Sequence, residues 1–130
     1  MNKILIVDDE PNILMSLEFL MRKEGYKVFV ARDGSEAIKI IDNDQPHIIV
    51  LDIMMPNVDG YEVCQYIKKD DTLKGTKVIF LSAKSKQEDI DKGYEMGADL
   101  YLTKPFSTRE LVKQVKQLTR ENHGNSISLP

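Results

Sequence analysis

Five short apolar runs alternate along the chain with longer segments in which apolar residues recur every three or four positions. The runs cover residues 4–7, 28–31, 48–51, 78–81 and 100–102. Continuous runs of this length, rich in β-branched residues, are typical of strands buried on both faces of a parallel sheet. We therefore predict that each run forms one strand.

The segments between the runs follow helical spacing, and three of them carry recognisable signals for the start of a helix. Pro11 suits the first position of a helix, because the amide that it lacks would have no partner there. Asp33 with Glu36, and Ser107 with Glu110, have the spacing of capping boxes. Further helices are predicted over about residues 58–70 and 86–96. The pattern therefore contains five strand–helix units in series.

Alternating strands and helices with short connections favour an α/β fold, a doubly wound parallel sheet with helices on both faces. A chain of 130 residues is long enough for one such domain. The last residues lack apolar periodicity, so we predict a domain over residues 1–121 and a tail or the start of a linker over residues 122–130.

The composition is that of an ordinary soluble domain, with 42% apolar and 30% charged residues and a formal net charge of -3. This charge argues against direct binding of nucleic acid or of an anionic membrane by this domain. No run approaches the roughly 20 apolar residues that cross a bilayer, so a cytoplasmic location is expected. The single cysteine, Cys64, excludes an internal disulfide and is predicted to pack in the core with Met15, Met21 and Met96.

Residues with the chemistry of phosphoryl transfer stand where four of the predicted strands end. They are Asp8 and Asp9, Asp52, Ser82, and Lys104. The carboxyl ends of parallel strands share one edge of the sheet, so these side chains should converge there. Two carboxylates about 4 Å apart repel by about 4 kcal/mol at an effective dielectric of 20, so the cluster needs a cation or a raised pKa. Oxygen ligands alone favour Mg²⁺ or a similar hard ion such as Mn²⁺.

A carboxylate such as Asp52 can act as a nucleophile toward phosphorus, and Ser82 and Lys104 could neutralise the transferred group. Each residue also has a simpler interpretation alone. Asp8 and Asp9 could complement a helix dipole, and Asp52 could be a turn residue. Ser82 could be one of the small hydroxyl residues that are common at strand ends, and Lys104 could simply face water. From the residues alone the Lys104–Pro105 peptide bond is expected to be trans, because cis is a minority state before proline.

Four segments match the pattern of a known family: ILIVDDEP (4–11), IIVLDIMMPNVDGYEV (48–63), VIFLSAK (78–84) and GADLYLTKPFSTREL (97–111). In these segments the chain resembles the receiver domains of bacterial two-component response regulators, over about residues 2–121. The resemblance implies a flavodoxin-like fold, with strand order 2-1-3-4-5 and five helices on both faces of the sheet. It also implies a signalling switch rather than an enzyme, with only weak self-phosphorylation and autodephosphorylation.

The resemblance assigns roles at the metal site. Asp52 would be the phosphoacceptor. Mg²⁺ or Mn²⁺ would be bound by Asp52, by Asp9 directly, by Asp8 mostly through water, and by the backbone carbonyl of Met54. The phosphoryl group would come from a sensor histidine kinase or a phosphotransfer protein.

The resemblance also assigns a switch. Ser82 would hydrogen-bond the phosphoryl group, Lys104 would pair with it, and the Lys104–Pro105 bond would be cis. Tyr101 would turn inward and change the surface of helix 4, strand 5 and helix 5, which controls an output partner or a fused domain. Leu100 stands where dimerising transcription factors of the family usually carry an aspartate, which weakens a DNA-binding interpretation.

Three alternatives remain open. A phosphatase of the haloacid-dehalogenase type would need a second carboxylate two residues after the nucleophile, where this chain has Met54. A nucleotide-binding Rossmann or flavodoxin-type protein would have a glycine-rich loop after the first strand, where this chain has Asp8 and Asp9. A degenerate receiver used only as an interaction module would have lost key residues, which are all present here.

Overall fold

The structure, a computed structural model, describes residues 2–127, with the side chains of residues 2–120. The strands are β1 (Lys3–Val7), β2 (Lys27–Ala31), β3 (Ile48–Leu51), β4 (Lys77–Ser82) and β5 (Leu100–Thr103). The helices are α1 (Pro11–Lys23), α2 (Gly34–Asp44), α3 (Gly60–Lys69), α4 (Gln87–Glu95) and α5 (Thr108–Ile127). A 3₁₀ turn (Asp71–Leu73) precedes β4.

All five strands are parallel and lie in the order β2-β1-β3-β4-β5. The register brings the strand ends into line, because Val7 pairs with Ala31 and with Leu51, and Ser82 pairs with Thr103. The predicted doubly wound, flavodoxin-like sheet is therefore confirmed. Its order reverses at β1, where such sheets form a crevice outside the strand ends.

The sheet separates two apolar cores. On one face α2, α3 and α4 pack through residues such as Ile41, Ile67 and Ile90. On the other face α1 and α5 pack through residues such as Leu17 and Leu111. Strands buried on both sides explain why their sequences read as continuous apolar runs.

The predicted helix starts are formed with differences in detail. The Asp33 side chain accepts a hydrogen bond from the Glu36 amide, which is one half of the predicted capping box. A reciprocal box forms at Asp59 and Glu62, with distances of 2.9 and 3.4 Å, and this cap starts α3 at Gly60 rather than near residue 58.

One expectation needs correction. Met15 was expected in the core, but 67% of its surface is exposed on the outer side of α1, whereas Met21 is fully buried. The backbone of α5 continues to Ile127, past the predicted end of the domain at residue 121. Extending an existing helix is far easier than starting one, so this segment needs no apolar face to be helical. The boundary between domain and tail stays a prediction, and residues 128–130 lie outside the described residues.

Candidate functional site

Backbone hydrogen bonds fix the positions of the polar residues that directly follow three of the strands. The Asp8 amide donates to the Ala31 carbonyl (3.1 Å), and the Asp52 amide donates to the Val7 carbonyl (3.0 Å). The Lys104 amide donates to the Ser82 carbonyl (2.8 Å). These bonds continue the parallel ladder by one residue, so the side chains that follow β1, β3 and β5 meet above one edge of the sheet.

Three carboxylates converge at this edge. One oxygen from each of Asp8, Asp9 and Asp52 lies within 4.8 Å of the others. Asp8 and Asp52 are buried and Asp9 is exposed, so the cluster opens to solvent on the Asp9 side. A set of carboxylate oxygens with an open side suits a hard divalent cation that keeps some of its water, which is the behaviour of Mg²⁺. The residues present therefore fit the predicted metal.

Lys104 brings a positive charge into the same cluster. Its Nζ atom lies 3.0 Å from Asp8 Oδ2, 3.5 Å from Asp52 Oδ2 and 3.7 Å from Glu10 Oε1. Burial alone would lower the pKa of the ammonium group, but the hydrogen bond to Asp8 and the charges of Asp52, Asp8 and Glu10 together raise it. Lys104 is therefore charged at neutral pH.

Opposing interactions act on the pKa of the Asp52 carboxyl group. Desolvation by burial and the neighbouring Asp8 charge raise the pKa of its carboxyl group. The Lys104 charge and a hydrogen bond from the Met54 amide to Asp52 Oδ1, at 3.3 Å, act in the opposite direction. The pKa of Asp52 is raised overall, so without a metal ion the cluster disfavours a negative charge on Asp52. An additional cation would relieve this repulsion.

A short hydrogen-bonded chain connects Ser82 to Tyr101 through the peptide groups of Lys84. The buried Ser82 Oγ accepts a bond from the Lys84 amide at 3.2 Å. The Tyr101 hydroxyl donates to the Lys84 carbonyl at 2.7 Å, and the Tyr101 side chain lies inward with 7% of its surface exposed. Sequence reasoning missed Lys84 as a connector, because its backbone makes both contacts and any residue except proline could make them.

The remaining predicted residues lie in the same region. The Lys104–Pro105 peptide bond is cis, as the resemblance implies and against the expectation from the residues alone. The Met54 side chain is exposed and lines an open groove of about 490 Å³ beside Asp9. Lys84 and Lys92 also line this groove, so its lining carries both acidic and basic groups.

A family model for the response regulator receiver domain matches residues 4–116 of the chain. The chain belongs to this receiver domain family. It is 38% identical to the beryllofluoride-activated receiver domain of DrrB, over 92% of this chain and 98% of that one, with a TM-score of 0.85. The Francisella response regulator 1452 receiver domain is 36% identical, over 93% and 98% of the two chains, with a TM-score of 0.87. A CheY-like receiver domain protein from Methanospirillum hungatei is 30% identical, over 96% and 98%, with a TM-score of 0.89.

Membership of this family confirms the predicted recognition, fold and general role: the chain is a phospho-signalling module and not a conventional enzyme. Receiver domains bind Mg²⁺ at an acidic pocket, and in this chain Asp8, Asp9 and Asp52 form an acidic cluster at the sheet edge. Receiver domains also work with histidine kinases or phosphotransfer proteins and with output domains. Among the described residues, no helix combines the length and the apolar character that crossing a bilayer requires.

Proposed function

We propose that Asp52 is the phosphoacceptor of this receiver domain, supplied by a sensor histidine kinase or a phosphotransfer protein. The observation that carries this proposal is the convergence of Asp52, two further carboxylates and the Lys104 ammonium at one sheet edge. Phosphoryl transfer asks mainly for positioning and for neutralisation of charge, and this edge offers both.

Asp8, Asp9 and Asp52 would hold Mg²⁺ or Mn²⁺, with the backbone carbonyl of Met54 as a further oxygen ligand. When bound, the ion would supply positive charge to the carboxylates and to the oxygens of an incoming phosphoryl group. The raised pKa of Asp52, caused first by burial and then by Asp8, is consistent with a site built for one more cation than the chain itself provides.

In the proposed reaction a carboxylate oxygen of Asp52 attacks the phosphorus of a phosphohistidine. An oxygen–phosphorus bond forms, the nitrogen–phosphorus bond breaks, and its electron pair stays on the departing imidazole. Lys104 would stay near the new acyl phosphate and balance its charge, and the Ser82 hydroxyl would donate a hydrogen bond to it. Small acyl phosphates would serve as weak alternative donors, and attack of water on phosphorus would return Asp52 to its free form.

The proposed output begins when the Ser82 hydroxyl turns toward the phosphoryl group. Ser82 Oγ now accepts a bond from the Lys84 amide, and the Lys84 carbonyl accepts one from Tyr101. A shift of Ser82 would therefore change the bonding of the segment that holds the Tyr101 hydroxyl. Since Tyr101 lies on β5 and Lys84 leads into α4, the change would reach the surface of α4, β5 and α5, where an output partner or a fused domain would bind.

The first test is intact-protein and peptide mass spectrometry after incubation with acetyl phosphate, with Mg²⁺ or with a chelator. We expect one base-labile phosphoryl group on Asp52, formed only with the metal, and none in Asp52→Asn, whose amide is a poor nucleophile. Asp59→Asn is a matched control, because asparagine also caps helices well and Asp59 lies outside the carboxylate cluster. Labelling of Asp52→Asn at the same site and rate would refute the proposal.

A further inference from the structure

Gly93 occupies a crowded position in α4, directly over the aromatic side chains of β4 and β5. A Cβ atom at Gly93 would lie 2.6 Å from Tyr101 Cδ2, 3.0 Å from Tyr101 Cε2 and 3.2 Å from Phe80 Cδ2. Carbon atoms that are not bonded to each other pack at about 3.5–4.0 Å, so a side chain here and the present Tyr101 ring exclude each other.

The Tyr101 ring is fixed on several sides and cannot move away freely. Its hydroxyl donates to the Lys84 carbonyl at 2.7 Å, and its ring packs edge-on against Phe80 with centroids 6.1 Å apart. Its backbone amide donates to the Tyr94 hydroxyl of α4 at 3.1 Å. A methyl group at position 93 would therefore have to displace the ring and break some of these contacts. The neighbouring atoms belong to aromatic rings and not to a flexible side-chain end that could move aside easily.

Glycine at position 93 is unfavourable for the stability of the helix that contains it. Gly93 lies inside α4, where alanine would be favoured because glycine loses more backbone entropy on folding. Its φ angle is not in the left-handed region, so the backbone does not require glycine. The remaining physical reason for glycine in the structure is the space that the Tyr101 ring fills.

We propose that Gly93 is a positioning residue for Tyr101: its missing side chain lets the ring lie inward beneath α4. The inward ring reaches the Lys84 carbonyl, whose residue also donates its amide to Ser82. Gly93 thereby allows a change in the hydrogen bonding of Ser82 to reach α4 through Lys84 and the Tyr101 ring. This consequence for signalling rests on the proposed function, whereas the placement of the ring does not.

A double-mutant cycle tests the placement. Gly93→Ala is measured by urea unfolding in the wild-type background and in the Tyr101→Ala background, where the ring is gone. We expect the alanine to lower the unfolding midpoint in the wild type and to lower it less, or raise it, with Tyr101→Ala. In that background the overlap with Tyr101 is gone, and only the helix preference and the 3.2 Å contact with Phe80 Cδ2 remain. Gly75→Ala is the control, since a Cβ there meets nothing within 4 Å. An alanine that lowers the midpoint at least as much without the Tyr101 ring would overturn the proposal.

Nuclear magnetic resonance of the same variants follows the ring itself. Gly93→Ala should lose the contacts between the Tyr101 and Phe80 rings, while Gly75→Ala should keep them. Gly93→Ala should still be labelled on Asp52 by acetyl phosphate, but beryllofluoride should no longer shift the amide resonances of α4 and β5 as in the wild type. Retained ring contacts and an unchanged response would refute the role of Gly93. Absence of labelling in the wild type would instead count against Asp52 as phosphoacceptor, and the unfolding cycle would still decide on Gly93.

Discussion

At the scale of single residues, Asp52, the proposed phosphoacceptor, carries a negative charge that the fold disfavours. Burial and the Asp8 charge raise its pKa, so the folded protein prefers a protonated Asp52 compared with the unfolded chain. This preference contributes stability below the ordinary pKa of the carboxyl group, and the contribution is lost as the pH rises through the raised folded value. At neutral pH without metal, the ionised Asp52 therefore destabilises the fold.

Replacing this charge should stabilise the metal-free protein. We expect Asp52→Asn to raise the free energy of unfolding at pH 7 by roughly 1–3 kcal/mol, the scale of repulsion between neighbouring carboxylates. The gain should shrink as the pH falls through the raised folded pKa of Asp52, because the wild-type carboxyl group becomes protonated there. Urea unfolding in a chelator at several pH values measures this. A gain that does not depend on pH would show that the charge of Asp52 is not its cause.

Cys64 illustrates the opposite case, a potentially reactive group that the fold makes inert. Its side chain is fully buried, and its Sγ atom donates to the Met96 carbonyl at 3.4 Å. Burial raises the pKa of the thiol to about 11, so very little reactive thiolate exists at neutral pH. We expect a thiol reagent to modify the native protein at least roughly a hundredfold more slowly than the urea-unfolded chain. Equal rates in both states would mean that Cys64 is accessible.

At the scale of secondary-structure elements, α3 begins against the residues that follow β3. The Gly60 amide donates to the Ile53 carbonyl at 2.9 Å. A Cβ atom at Gly60 would overlap the Asp52 carbonyl oxygen and would lie 2.7 Å from Ile53 Cα. These neighbours are backbone atoms, so they cannot rotate away as a side chain can. The start of α3 and the position of Asp52 are therefore coupled.

Alanine at this contact should disturb both the fold and the site. We expect Gly60→Ala to lower the free energy of unfolding by about 1–3 kcal/mol, as overpacking does, and to slow labelling of Asp52 by acetyl phosphate. Gly75→Ala should do neither, because its Cβ has open space. If Gly60→Ala were labelled at the wild-type rate while being destabilised, the contact would support the helix without positioning Asp52.

Strands and helices differ in how well the sequence predicts them and the site residues that they position. Buried parallel strands such as β3 leave a continuous apolar run, and carboxyl-end residues such as Asp8 and Asp52 meet because the topology forces them together. The sequence did not predict which face of α1 is buried, because Met15 is apolar but exposed. Contacts made by backbone or by a missing side chain, as at Lys84 and Gly93, leave no pattern of residue types to detect.

At the scale of the whole molecule, one ammonium group connects elements that are far apart in sequence. Lys104 follows β5, yet it contacts Asp8 after β1 and Asp52 after β3. The carboxylates repel each other, so the strand ends that carry them depend on a positive charge between them. Lys104 provides part of this charge, and the proposed metal would provide the rest.

Removing Lys104 should therefore weaken the fold, and Mg²⁺ should recover part of the loss. We expect Lys104→Ala in a chelator at pH 7 to lower the free energy of unfolding by about 1–3 kcal/mol, because buried Asp8 loses a charged hydrogen-bond partner. Since the folded pKa of Lys104 is raised, its contribution is fully present at pH 7 and is lost only as the pH rises through that raised value.

We expect Mg²⁺ to bind the folded site and to add stability by mass action, more so in the variant, where the carboxylates lack their internal partner. Lys74→Ala is the matched control, because Lys74 pairs with Asp71 on the surface at 3.1 Å and such pairs contribute little. Urea unfolding of the three proteins with and without Mg²⁺ measures both effects. An equal loss for Lys104→Ala with and without Mg²⁺ would mean that the ammonium and the metal do not act on the same carboxylates. The cluster would then be held by packing of the strand ends rather than by shared positive charge.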